Sequence, residues 1–95
     1  MSAYLIADVE VHDAAGYEEY RQRVQATIAA YGGRYLVRGG ALTVLEGAWQ
    51  PKRCVVLEFP SAAQLKAWYV SPEYTPLIAI RQRTTKSNLV MVEGL

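Results

Sequence analysis

Ala3-Tyr4-Leu5-Ile6-Ala7-Asp8-Val9-Glu10-Val11 alternates two sets of side chains, with Leu5, Ala7, Val9 and Val11 on one side and Tyr4, Ile6, Asp8 and Glu10 on the other. Successive residues of a strand point to opposite faces, so one face here is wholly apolar and the other mixed. The same two-sided character recurs further along: Val55 and Leu57 oppose Cys54 and Val56, and Val90 and Val92 oppose Leu89 and Met91. A solvated sheet face is expected to be polar at alternate positions. These strands are only half polar on their second face, which predicts that a second copy of the chain covers it. Packing two such faces removes on the order of 1,000 Å² or more from water, the scale of a stable symmetric dimer.

Outward from this strand, His12-Asp13 leads into a helix. The Asp13 carboxylate suits the N-cap, where it accepts from the free N–H groups of the first turn. Tyr17, Tyr20, Val24, Ile28 and Tyr31 then recur at spacings of three and four as one stripe, with Glu18, Glu19, Arg21, Arg23 and Gln25 mostly outside it. Gly32-Gly33 closes the helix. Residues 34–38 and 42–46 read as two short strand runs around Gly39-Gly40, one long strand broken by a bulge or kink. After Trp49-Gln50-Pro51-Lys52, residues 53–59 form the hairpin partner. Ser61 and Gln64 have capping-box spacing ahead of a short helix bearing Leu65, Trp68 and Tyr69. Two starts compete for the next helix: Ser71 with Pro72 at the first position, which leaves Pro76 inside, or Thr75 capping a helix that begins at Pro76. The second avoids the clash and is preferred, with the helix ending near Thr84. Residues 88–93 are the last strand. The order β-α-β-β-α-β is the split βαβ plan of ferredoxin-like α+β folds, a four-stranded antiparallel sheet with its helices on one face.

Ninety-five residues and 10.6 kDa fit a single domain, residues 1–95. A folded surface of about 5,500 Å² against about 15,000 Å² unfolded leaves enough burial for one core without a disulfide or metal staple. With 52% hydrophobic and 20% charged residues, and a mean hydropathy of +0.01, the chain is expected to be ordered. A net charge of +1 lacks the basic excess of a nucleic-acid or anionic-membrane binder. Cys54, the one cysteine, forms no internal disulfide, and with His12 as the one histidine no Cys₄ or Cys₂His₂ zinc site can be built. No apolar run approaches the roughly 18 residues of a membrane span, and no basic stretch precedes the first apolar segment. The expectation is a soluble, cytoplasmic protein with no metal, nucleic-acid or membrane partner.

The string Tyr35-Leu36-Val37-Arg38-Gly39-Gly40, then Leu45-Glu46-Gly47, Trp49, Pro51 and Arg53, resembles the domain-of-unknown-function 1330 family. So do Glu58-Phe59-Pro60-Ser61, Trp68, Ser71-Pro72-Glu73-Tyr74, Arg81 and Val92-Glu93-Gly94, which extends the resemblance over nearly the whole chain. The resemblance implies a dimeric α+β barrel, two ferredoxin-like protomers with their sheets packed face to face. It implies no reaction. Superfamily relatives include cofactor-free quinone-forming monooxygenases, haem-degrading monooxygenases, lactone isomerases and ligand-sensing domains, and a shared fold carries none of those activities over. Haem-degrading relatives use a histidine where this chain has Leu77-Ile78-Ala79-Ile80, so haem is not expected, nor is another cofactor.

Candidate chemistry lies in charges set inside apolar strand patterns. Asp8, Arg38, Glu46 and Glu58 occupy positions where alternation predicts burial or half-burial, and a buried charge has to be paired and hydrogen-bonded. Arg81 follows Leu77 and Ile78 on the inward side of its helix and joins this group. In one reading Arg38 and Arg81 hold an anionic or carbonyl-bearing small molecule through their planar forks, Glu46 or Glu58 is the catalytic acid or base, and Tyr74 lines the pocket. In the other, slightly favoured, Arg38 and Arg81 neutralise Glu46 and Glu58 and help fix the dimer register.

The remaining candidates carry less. His12 is the default general acid or base, but no orienting partner follows from spacing, and a surface loop histidine beside Asp13 is favoured. Cys54 reads as a buried structural thiol, with Arg53 on the opposite face of the strand. Tyr17, Tyr20, Tyr31 and Trp68 are assigned to the core, Tyr35 and Tyr74 stay open as site residues, and Trp49 suits an interface anchor. The glycine pairs fit no phosphate-binding pattern. Three functions follow. One is a cofactor-independent enzyme, monooxygenase- or isomerase-like, acting on a small aromatic or carbonyl compound. The others are a non-catalytic small-molecule binder or sensor using the same pocket, and a structural dimer module.

Overall fold

The computed structural model describes residues 1–95 and holds β1 (Ala3–Val11), α1 (Ala14–Ala30), β2 (Arg34–Arg38), β3 (Cys54–Phe59), α2 (Ala62–Tyr69), α3 (Thr75–Thr84) and β4 (Thr85–Glu93). The sheet order is β2-β3-β1-β4 with every neighbouring pair antiparallel. This is the ferredoxin-like α+β fold: β1-α1-β2 is a βαβ unit split by the insertion of β3 between its strands. The molecule measures 35 × 32 × 16 Å, a slab of one sheet and one helical layer. No helix is long and apolar enough to cross a membrane.

Local chemistry accounts for the helix ends. The Asp13 carboxylate accepts from the Gly16 N–H at 3.1 Å, and α1 closes where Gly32 takes φ +81°, a conformation that spares glycine the Cβ clash. Ser61 Oγ accepts from the Gln64 N–H at 3.2 Å to start α2. At α3 the preferred start is right to within a residue but the cap is not Thr75. Thr75 is already helical and Pro76 falls in the first turn, where its missing N–H costs nothing, while Ser71 Oγ accepts from the Tyr74 N–H and ties the preceding turn. No loop separates α3 from β4: the Thr84 and Thr85 hydroxyls donate to the Ile80 and Arg81 carbonyls, and the Thr85 N–H donates to the Arg81 carbonyl as well, which ties the last helical turn directly to the strand. β4 therefore begins three residues before the expected 88, and pairs along the whole of β1 from Val11↔Thr85 to Ala3↔Glu93.

The core lies between the helices and one face of the sheet. Leu5, Ala7 and Val9 from β1, Leu57 and Phe59 from β3, and Tyr17, Tyr20, Val24 and Ile28 from α1 are buried there. Trp68 is 1% exposed, stacks on Tyr74 with ring centres 4.0 Å apart, and donates its indole N–H to Thr27 Oγ1 at 3.1 Å, which satisfies its polar handle. The opposite face carries a continuous apolar row, Val37, Val56, Ile6 and Val90, one from each strand. Val37 is 39% exposed and Val90 59%.

Two expectations for the middle of the chain are corrected. Residues 42–46 form no strand: β2 ends at Arg38, β3 begins at Cys54, and nothing is left opposite the segment to pair with it. Gly39, at φ +71°, turns the chain away after one last hydrogen bond to the Cys54 carbonyl. Asp8 then holds the returning loop, accepting from Trp49 Nε1 at 3.2 Å and the Lys52 N–H at 3.1 Å. The bulge is also displaced. It falls between Tyr35 and Val37, not at the glycine pair.

Candidate functional site

That bulge decides the site. Arg34 pairs with Glu58 on the outward face, and simple alternation puts Arg38 beside it; the extra residue at Leu36 reverses the parity, so Arg38 pairs with the inward-facing Val55. Arg53, one residue before β3 and opposite in parity to Cys54, also faces the helices. α3 contributes Arg81, α1 contributes Tyr20, and the turn before α3 contributes Tyr74. These groups line a slot between sheet and helices that crosses all four strands, with a cavity of about 30 Å³, room for one or two water-sized groups.

The deep part of the slot is built for donors. Arg81 is 5% exposed, and its Nε has no hydrogen-bond partner in the protein. The Tyr20 and Tyr74 hydroxyls are 2.8 Å apart and share one hydrogen bond, which leaves the second O–H free to donate. Burial pushes the Tyr20 phenol far up, reinforced by Tyr74. It also pushes Tyr74 up, against the opposing pull of the Tyr20 hydrogen bond and of Arg81. Both stay protonated at neutral pH. At the exposed end Arg38 lies over the Tyr35 ring, 4.6 Å from its centre, and donates to Gln25 Oε1 at 3.3 Å. Burial raises the Tyr35 phenol while Arg38 opposes it. Leu5 and Leu89 wall the slot and also a wider apolar groove of about 340 Å³ beside Leu65, Tyr69, Val70 and Met91.

Arg38, Arg81 and Tyr74 are thus brought together, whereas Glu46 and Glu58 lie elsewhere. Glu58 is on the outward face with Arg34, whose Nη2 is 2.7 Å from Oε1 and whose hydrogen bond holds the carboxyl below its usual range. Glu46 sits exposed in the irregular loop. Mutual neutralisation of Arg38 and Arg81 by these glutamates is not what the fold builds, because Glu58 and Arg38 have opposite parity and the strand assumed for Glu46 does not form. Asp8 is satisfied by loop donors, His12 is exposed, and Cys54 is half-buried facing the loop. No three His, Cys, Asp or Glu side chains come together to hold a metal. Sequence reasoning missed Arg53, although its parity opposite Cys54 was readable. It also placed Tyr20 in the core without its hydroxyl pairing, which only the approach of α3 to α1 creates.

The family model described as "Domain of unknown function (DUF1330)" matches residues 2–95. The chain belongs to this family. Among solved structures, the DUF1330 chain is similar to RPA0582, a protein of unknown function from Rhodopseudomonas palustris, with a TM-score of 0.81 at 19% identity over 99% of this chain and 82% of that one. It is similar to SnoaB, a cofactor-independent oxygenase from Streptomyces nogalater, with a TM-score of 0.66 at 14% identity over 99% and 93% of the two chains. A dimeric ferredoxin-like protein of unknown function from Jannaschia sp. gives 0.67 at 14% identity over 99% and 100%. At such identities the likeness is one of fold. Among curated proteins, none matches the sequence.

Proposed function

We propose that this chain is a small-molecule-binding protein, working as a homodimer, that takes an aromatic or carbonyl-bearing compound between its helices and sheet. The observation that carries the reading is Arg81, buried beside two phenols with an Nε that no protein group satisfies. An unsatisfied buried donor costs about 1–3 kcal/mol, and more when charged, so such a group in a native fold asks for a partner. A carbonyl or oxyanion oxygen supplies one, with the free O–H of the Tyr20–Tyr74 pair as second donor. Arg38 and Tyr35 form the mouth, which side-chain rotation opens, and the groove beside Tyr69 offers room for an apolar body. The homodimer is supported by the apolar row across the outward face and by the dimeric description of the Jannaschia protein.

A cofactor-independent enzyme, monooxygenase- or isomerase-like, is the second reading, favoured by the fold shared with SnoaB. Its donors would stabilise an enolate oxygen, but no carboxylate or imidazole lines the slot to take the proton. Glu46 and Glu58 have no acid–base role there, and binding without turnover is preferred. The test is thermal melting of the purified protein with a panel of aromatic ketones, phenols and acids, followed by product analysis under air. Stabilisation without product supports the binder, and stabilisation with an oxygenated or isomerised product moves the assignment to the enzyme. If no compound shifts the melting of the wild type, the slot has been misread.

A further inference from the structure

Four arginines, Arg21, Arg38, Arg53 and Arg81, line the slot, and no aspartate or glutamate does. Arg21 is already paired, 3.0 Å from Glu18 on the helix surface. The other three have no carboxylate within ion-pair distance, since the remaining ion pairs are Arg23–Glu19 and Arg34–Glu58. Arg53 repeats the situation of Arg81: its Nε is buried and has no partner in the protein. Its guanidinium packs where a side chain on Gly39 would stand. A protein of net charge +1, with nine acidic residues to distribute, has thus set Arg81 buried and Arg53 half-buried along one slot, with the exposed Arg38 at its mouth, and kept every acid out of its lining. Burying uncompensated like charges is unfavourable, and an anion relieves it for Arg53 and Arg81 together while drawing Arg38 over the mouth.

We infer that the slot selects an anionic ligand, an aromatic carboxylate in particular, whose two oxygens are held by the planar guanidinium forks of Arg81 and Arg53 while Arg38 closes over the mouth. The class follows from the inventory. Guanidinium groups donate and never accept, and they match a planar carboxylate in two-point geometry. The phenol pair adds a donor, and the Trp68–Tyr74 stack with the neighbouring leucines gives a planar, apolar setting for a ring. The cavity of about 30 Å³ admits the head group, and a ring follows as Arg38 swings off Tyr35.

This inference rests on reading the slot as a binding site, and the test separates the two. Benzoate and benzamide have nearly the same shape and differ in charge. Each is titrated into the full-length protein, with amide shifts of Tyr35, Val55 and Leu89 reporting occupancy. Benzoate is expected to bind at least about tenfold more tightly than benzamide, the worth of a charge-assisted hydrogen bond. Arg53→Gln and, separately, the exposed Arg38→Gln are expected to remove most of that difference. Equal binding of the two probes at these residues overturns the anion inference and leaves the slot standing as a neutral site. A benzoate preference unmoved by either substitution overturns it as well, because the charge would then be read elsewhere. Failure of both probes to bind removes the slot reading and the inference together.

Discussion

Two tyrosine hydroxyls facing each other in the buried slot commit the protein at high pH. Burial raises the phenols of Tyr20 and Tyr74, whereas unfolding returns them to the ordinary value near 10. Above that pH the unfolded chain loses protons that the folded chain keeps, so the folded state binds more protons and stability falls as pH rises. Below pH 10 the contribution is fully present. Denaturant midpoints measured through about pH 9 to 11 should decline, and the decline should be shallower in Tyr20→Phe. At neutral pH that variant leaves the Tyr74 hydroxyl without its partner and should lose about 1–3 kcal/mol in urea titrations. On the other face Asp8 accepts two loop donors. Asp8→Ala should therefore speed hydrogen exchange at the Lys52 amide while the amides of α1 keep their protection.

Elements came out of the sequence where a period and a stop signal agree. The α1 stripe with its Asp13 cap and Gly32 stop is one such case, and Asp13→Ala should cost about 1 kcal/mol by urea denaturation. Residues 42–46 show the converse. Their composition favours extended chain, but a strand needs a neighbour, and none is present once Gly39 turns the backbone away. Gly39→Ala adds a Cβ to a left-handed residue and drives it into the Arg53 guanidinium. The expected loss is at least about 1–2 kcal/mol from backbone strain alone, read by the urea midpoint.

For the whole molecule the outward sheet face is the open account. The surface of 5,912 Å² exceeds the roughly 5,500 Å² of a compact monomer of this mass, and the excess fits an apolar row and a long loop left uncovered. If a second copy lies on that row, Ile6→Lys at its centre should halve the mass measured by light scattering while the far-UV circular dichroism stays helical. A wild-type protein already monomeric at micromolar concentration would count against the dimer.

The sequence by itself determined the order of elements, the single core and the two-sided strands, because periods of two and of three to four are local properties of the chain. The same local reading grouped Arg38, Arg81 and Tyr74, which the fold brings to one slot, but set Arg38 and Arg81 beside Glu46 and Glu58, which lie elsewhere. Which charges share a space depends on register, and register is set between strands. One bulged residue at Leu36 moves Arg38 from the face of Glu58 to the face of Arg81, and only the assembled sheet contains that displacement.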